Sequence, residues 1–238
     1  LADLLPTTSV WPGLPTNPCQ YYPTGSPALL WAETSGSTPF RLNLHVSDVG
    51  HTLVLGPTGA GKSTLLGLIQ AQFFRYPDAQ VFTFDKGYSS FPLVAACGGH
   101  HYDIAAESLD ALAFYPLASI DRPSARAWAA EWIETLMALQ GVVVTPAHRG
   151  ALDHALGLLA ASPSRTLTDL QVKLQDPNLR QALRPYTLKG NFGALLDAQS
   201  DGLRDGRFQV FEMAHLMELG DRIVIPALLY LSRRIEQR

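Results

Sequence analysis

Gly56-Pro57-Thr58-Gly59-Ala60-Gly61-Lys62-Ser63 decides how this chain is read. The octapeptide fits the phosphate-loop pattern G-x-x-x-x-G-K-[ST]. Glycines at 56, 59 and 61 allow backbone conformations that turn several N–H groups inward around an anion. A helix opening at Ser63 adds unpaired amides and a positive dipole end at the same place. Lys62 is then placed to reach β- and γ-phosphates, the Ser63 hydroxyl to ligate Mg²⁺, and Thr64 to touch the α-phosphate. The expectation is a nucleoside triphosphate site spanning residues 56–64, with Mg²⁺ as its metal.

The flanks of the loop set the fold class. Thr52–Leu55 is a short apolar, β-branched run, predicted as the strand that feeds the loop. Ser63–Arg75 reads as a helix stopped by Pro77, and Gln80–Asp85 as a second strand that ends on an acid. Strand, helix, strand is a βαβ unit and implies an α/β fold with a mostly parallel sheet.

Further out, Phe40, Leu42, Leu44 and Val46 alternate with polar residues, the period of a half-buried strand. With a short strand in Ala28–Glu33 it would close an antiparallel hairpin around residues 34–39. Seven of the seventeen prolines lie in residues 1–39, which mark an irregular lead-in. Residues 105–206 read as an all-helical insert. Ala125, Trp128, Ala129, Trp132, Leu136 and Leu139 recur at helical spacing, and both tryptophans are expected in the core. Thr145-Pro146 and Asp176-Pro177 each look like an N-cap followed by a first-turn proline. Strand character returns at Phe208–Glu212, before a helix over about 222–238. Four segments follow: lead-in and hairpin (1–49), phosphate-loop core (50–104), helical insert (105–206), and return strand and helix (207–238).

Composition narrows the function classes. The chain has 238 residues, 47% hydrophobic and 16% charged, with a net charge of −3. That supports a large core and excludes intrinsic disorder and collagen-like repetition. No membrane span is expected, because Ile223–Leu231 contains Pro226 and is only nine residues long, against roughly 20 for a bilayer. A pI near 6.2 gives no support to nucleic-acid binding. Cys19 and Cys97 supply no disulfide framework. His100-His101 has no partner at metal-ligand spacing. The absence of an initiator Met fits a piece of a longer chain.

Hydrolysis needs an acid to organise Mg²⁺ and the attacking water. Asp85 and Glu212 both end apolar strands and are the candidates beside Lys62 for catalytic roles. Neither sits in an Asp-Glu pair. D-x-x-G, N-K-x-D and L-S-G-G-Q, the marks of GTPases and transporter ATPases, do not occur. An arginine finger from a neighbouring subunit could come from Arg204, Arg207, Arg233 or Arg234.

An ordered set of runs resembles one family. They are Thr38–His45 and Asp48–Thr52 ahead of the loop, then Phe84-Asp85-Lys86-Gly87, Gly98–Asp103 and Tyr115-Pro116-Leu117. Leu195–Ala198, Phe211-Glu212-Met213 and Ile225–Leu231 follow. Together they resemble the TrbE family of conjugal transfer ATPases of type IV secretion systems. The resemblance implies a RecA-like fold with an inserted helical subdomain, ATP as the nucleotide, and ATP hydrolysis that powers pilus assembly or substrate transfer. It implies ring oligomers, often hexamers, working with other secretion components at the cytoplasmic face of the bacterial inner membrane. It also implies a Walker B strand beyond Arg238, so weak or no turnover is expected of these 238 residues alone. Two alternatives stay open: a DNA-translocating motor of the same superfamily, and a nucleotide-gated assembly module without turnover.

Overall fold

The structure, a computed structural model, describes residues 11–106 and 112–238. The first ten residues of the expected lead-in, and residues 107–111 of the expected insert, lie outside the described residues. The chain divides into two compact units. One holds the described residues up to Thr83, with Ser89–Gly99 and Gly206–Gln209. The other holds Phe84–Tyr88, the described part of His100–Asp205, and Val210–Arg238. These units cut across the four segments expected from sequence.

In the first unit, β1 (Leu30–Glu33) and β2 (Pro39–Leu42) form the expected antiparallel hairpin, in register Leu30↔Leu42 to Glu33↔Pro39. Thr34 and Thr38 close its loop through their hydroxyls (2.6 Å) and a backbone bond (2.9 Å). The strand ends at Leu42, short of Val46, because the chain folds back on itself in a Val46–Val49 bridge that leaves Val46 exposed. Helix α1 (Lys62–Phe73) follows the phosphate loop. Its last turns carry Ile69 and Phe73 to a small core of Leu29, Tyr76 and Ala79. The Arg75 guanidinium donates to Ala28 O (2.7 Å) and the Tyr76 hydroxyl to Pro27 O (2.9 Å), which ties the end of α1 to the lead-in.

Thr52–Leu55 corrects an expectation: it is not a strand. A strand exists through its ladder partners, and this run has none among the described residues. Leu53 and Leu55 are about four-fifths exposed, at 80% and 81%.

The parallel sheet is built instead from β3 (Val81–Asp85), β4 (His100–Asp103) and β5 (Phe208–Glu212), in the order β3-β5-β4. Helix α2 (Phe91–Ala96) lies between β3 and β4 in sequence. Val81 N–H donates to Arg207 O (2.7 Å), Met213 N–H to Asp85 O (2.9 Å) and Ile104 N–H to Glu212 O (3.1 Å). Central β5 is buried along its whole length, as a parallel strand covered on both faces is. Gly99 needs its missing side chain, since a Cβ there would sit 2.6 Å from Phe208 O.

The second unit is mostly helical. It contains α3 (Pro123–Leu139), α4 (Pro146–Ala160), α5 (Leu167–Lys173), α6 (Pro177–Leu183), α7 (Gly193–Leu196), α8 (Ala214–Glu218) and α9 (Asp221–Glu236). Thr145 and Asp176 are N-caps with proline in the first turn, as their sequences predict. Thr145 accepts from His148 N–H, and Asp176 accepts from Asn178 N–H and Leu179 N–H. The α3 face of Ala129, Trp132, Ile133, Leu136 and Met137 is buried and packs on α9. Pro226 sits inside α9 and cannot donate to Arg222 O. The Tyr186 hydroxyl fills that acceptor (3.0 Å), and Trp132 Nε1 donates to Pro226 O (3.1 Å). Among the described residues no helix is long and apolar enough to cross a membrane.

Candidate functional site

The phosphate-loop residues belong to the first unit. Gly59 and Gly61 adopt φ of 81° and 82°, the left-handed region where a Cβ is strained. Gly61 is the N-cap of α1, and no side chain caps that end. No acidic residue lies in the first turn to offset the positive end of the dipole. Ala60 N–H donates to Pro57 O (3.3 Å), and Leu65 N–H closes the first helical turn on Gly61 O (2.9 Å). Lys62 Nζ donates to Pro57 O (2.7 Å), so the ammonium folds back across the loop that its own helix ends. Gly56 keeps the loop base narrow, since a Cβ there would touch Ala60 Cβ at 3.3 Å. Residues 55–61 are exposed, as are Ser63 and Thr64 in the first turn. The arrangement gathers backbone donors, a helix N-terminus and a cation, the features that hold an anion.

The two candidate acids belong to the second unit and sit on neighbouring strands. Asp85 ends β3, and its Oδ1 accepts from Lys86 N–H (2.9 Å). Glu212 ends β5 and is fully buried. Its carboxylate accepts from Gly87 N–H (3.1 Å), Tyr88 N–H (2.7 Å) and Ala214 N–H (3.0 Å). Gly87 and Tyr88 both have positive φ, 100° and 58°. Tyr88 carries a Cβ in that region, and the Glu212 clamp holds it there. The Tyr88 hydroxyl donates to Asp103 Oδ2 (2.5 Å), and His215 Nε2 lies 4.0 Å from the same oxygen. The hydrogen bond to Asp103, with burial, pushes the Tyr88 hydroxyl pKa up to about 12. Sequence reasoning did not find this group. Gly87 and Tyr88, two and three residues after Asp85, were the available signal, but the partners lie on β4 and α8.

The arginines divide by partner. Arg207 donates from Nε to Ala79 O (3.0 Å) and lies over the Phe74 ring at 5.7 Å. Arg238 pairs with Asp205 (3.2 Å), and Arg234 Nε is 3.4 Å from Asp201. Arg233 lies over the Trp128 ring at 5.9 Å. His100 Nε2 lies 3.1 Å from Asp205 O.

No family model matches the chain. It is 55% identical to a probable conjugal transfer protein TrbE of Sinorhizobium fredii, over 100% of this chain and 36% of that protein. It is 52% identical to the conjugal transfer protein TrbE of Rhizobium radiobacter, over 100% of this chain and 30% of that one. The type IV secretion system protein virB4 of Bartonella henselae is 28% identical over 87% of this chain and 27% of its own length. The solved structure of VirB4 of Thermoanaerobacter pseudethanolicus superposes with a TM-score of 0.64. It is 15% identical, covering 91% of this chain and 66% of that one, and shows that the two share an α/β fold. The chain spans about a third of the length of its TrbE relatives. By sequence it therefore belongs with the TrbE conjugal transfer proteins, matching one stretch of them over its whole length, with the virB4 proteins as more distant relatives.

Proposed function

We propose that this segment is the nucleotide-binding part of an ATP-hydrolysing motor of a conjugative type IV secretion system. The observation that carries the reading is the uncapped N-terminus of α1, with Gly59 and Gly61 in the left-handed region and Lys62 Nζ on Pro57 O. These residues fit a triphosphate. Backbone amides of 56–64 would cradle its phosphates, and Lys62 would exchange the Pro57 carbonyl for the β- and γ-phosphates. Ser63 would hold Mg²⁺, and Thr64 would lie by the α-phosphate. Bound Mg²⁺ supplies charge neutralisation on the transferring phosphoryl group. Asp85 is the candidate acid for water or metal. Glu212 acts as a positioning residue, because its oxygens are taken up in holding Gly87 and Tyr88.

Work beside other secretion components belongs to the same proposal, supported by the names of the relatives, and so do ring assembly, often hexameric, and the inner membrane, which the resemblance implies. The work done would be pilus assembly or substrate transfer. The experiment is thermal melting with and without Mg-ATP. At a ligand concentration near 100 times Kd, melting rises by about 5–10 °C in the wild type, and the rise falls to about half of that or less in Lys62→Ala. An equal rise in both proteins would overturn the reading.

A further inference from the structure

In the second unit a cavity of about 90 Å³ opens beside the last turns of α9. Tyr230, Arg233, Arg234 and Gln237 line it, and their spacing puts all four on one helix face. Ser119 and Trp128 stand among the facing walls, with Asp201 the only acid among the described residues of the lining. That carboxylate is already engaged. Its Oδ1 accepts from Leu203 N–H (2.9 Å), and its Oδ2 accepts from the Tyr230 hydroxyl and lies 3.4 Å from Arg234 Nε. Two guanidinium groups therefore share the lining with one carboxylate, which Arg234 already pairs. Arg233 Nε is buried and has no hydrogen-bond acceptor among the described residues, and Arg234 Nε, also buried, has the Asp201 ion pair without hydrogen-bond geometry. A buried donor without an acceptor is costly and seeks one.

We infer that this cavity is a binding site for a phosphate-class oxyanion, separate in sequence from the phosphate loop. The guanidinium is a planar fork that matches phosphate oxygens, and it carries its charge at every accessible pH. Arg233 supplies the first donors, and Arg234 adds a charge that Asp201 shares. The Ser119 hydroxyl and the Gln237 amide are among the neutral donors within the lining. The Trp128 ring beneath Arg233 and the apolar wall keep water from screening the ion. The volume equals the share of about three waters, which suits a single tetrahedral anion and not a nucleoside.

The test titrates inorganic phosphate into the full chain carrying Lys62→Ala, so that the phosphate loop does not report. Binding is followed by calorimetry and by the arginine Nε–H resonances. Saturable binding at millimolar phosphate is expected, with the Arg233 resonance shifting in step. Adding Arg233→Gln should weaken it tenfold or more, while Arg233→Lys, which keeps charge without the fork, gives an intermediate loss. Phosphate that leaves the Arg233 and Arg234 resonances in place overturns the proposal, and this readout needs no change in the cavity itself. Equal affinity in Arg233→Gln also overturns it. Sulfate at the same ionic strength should compete, whereas chloride should not; displacement by chloride alone marks nonspecific screening and overturns it as well.

Discussion

Glu212 shows how one residue can serve a site through the backbone. Its buried carboxylate gathers three N–H groups, two of them from a turn held at positive φ. Glu212→Ala leaves those donors without their acceptor and should cost about 2–4 kcal/mol, read as a lower denaturant midpoint. Glu212→Gln keeps one acceptor oxygen and should cost less. If Glu212→Ala melts like the wild type, the clamp is not what holds the turn. The backbone shape of the 56–64 loop was legible from sequence because its geometry is local: glycines, lysine and helix start lie within nine residues. The Glu212 clamp was not legible in the same way. The acid and its turn are separated by 125 positions along the chain, and only the parallel pairing of β3 with β5 brings them together.

At the scale of elements, the caps were readable and the strands were only partly so. Thr145-Pro146 and Asp176-Pro177 state their role within two residues, since an N-cap needs only its own helix. Phe208–Glu212 was readable from its apolar, aromatic run. His100–Asp103 offers no alternation, and Thr52–Leu55 offers strand composition without a neighbour, so burial and pairing decided both. Two predictions belong here. Tyr186 fills the carbonyl that Pro226 leaves open in α9 and accepts in turn from Gln140 (3.0 Å). Tyr186→Phe should therefore destabilise by about 1–2 kcal/mol in chemical denaturation, and a neutral result would mean another group satisfies Arg222 O.

The second concerns the start of α5. Burial pushes the Asp169 carboxyl up, but the Ser164 and Thr166 hydroxyls and the Thr166 N–H outweigh it and hold its pKa below the ordinary 3.8. The folded value lies under the unfolded one, so Asp169 contributes stability that is full above 3.8 and is lost as pH falls through the lowered value. The stability gap between wild type and Asp169→Asn should stay level above about pH 5 and narrow toward pH 3. A gap that widens on acidification contradicts this.

At the scale of the whole molecule, the α/β class and the parallel sheet were predicted from one loop and its flanks, and the VirB4 likeness shows the same fold. The four expected segments follow the order of the sequence, whereas the compact units follow contacts, which place residues 84–88 and 210–238 with 100–205. The helical unit depends on its shared core. Trp132 is buried to 2% exposure and donates to Pro226 O, so Trp132→Ala should cost about 3–5 kcal/mol. Circular dichroism melting would show it, and an unchanged melt would mean that the α3–α9 seam is not central to stability.

The claim on which the functional account rests is that residues 56–64 hold the triphosphate of Mg-ATP. Isothermal titration of Mg-ATP into the wild type and into Lys62→Ala tests it directly. A single-site isotherm is predicted for the wild type, weakened roughly tenfold or more when the ammonium is removed. No saturable heat from the wild type, or the same isotherm from both proteins, would contradict it.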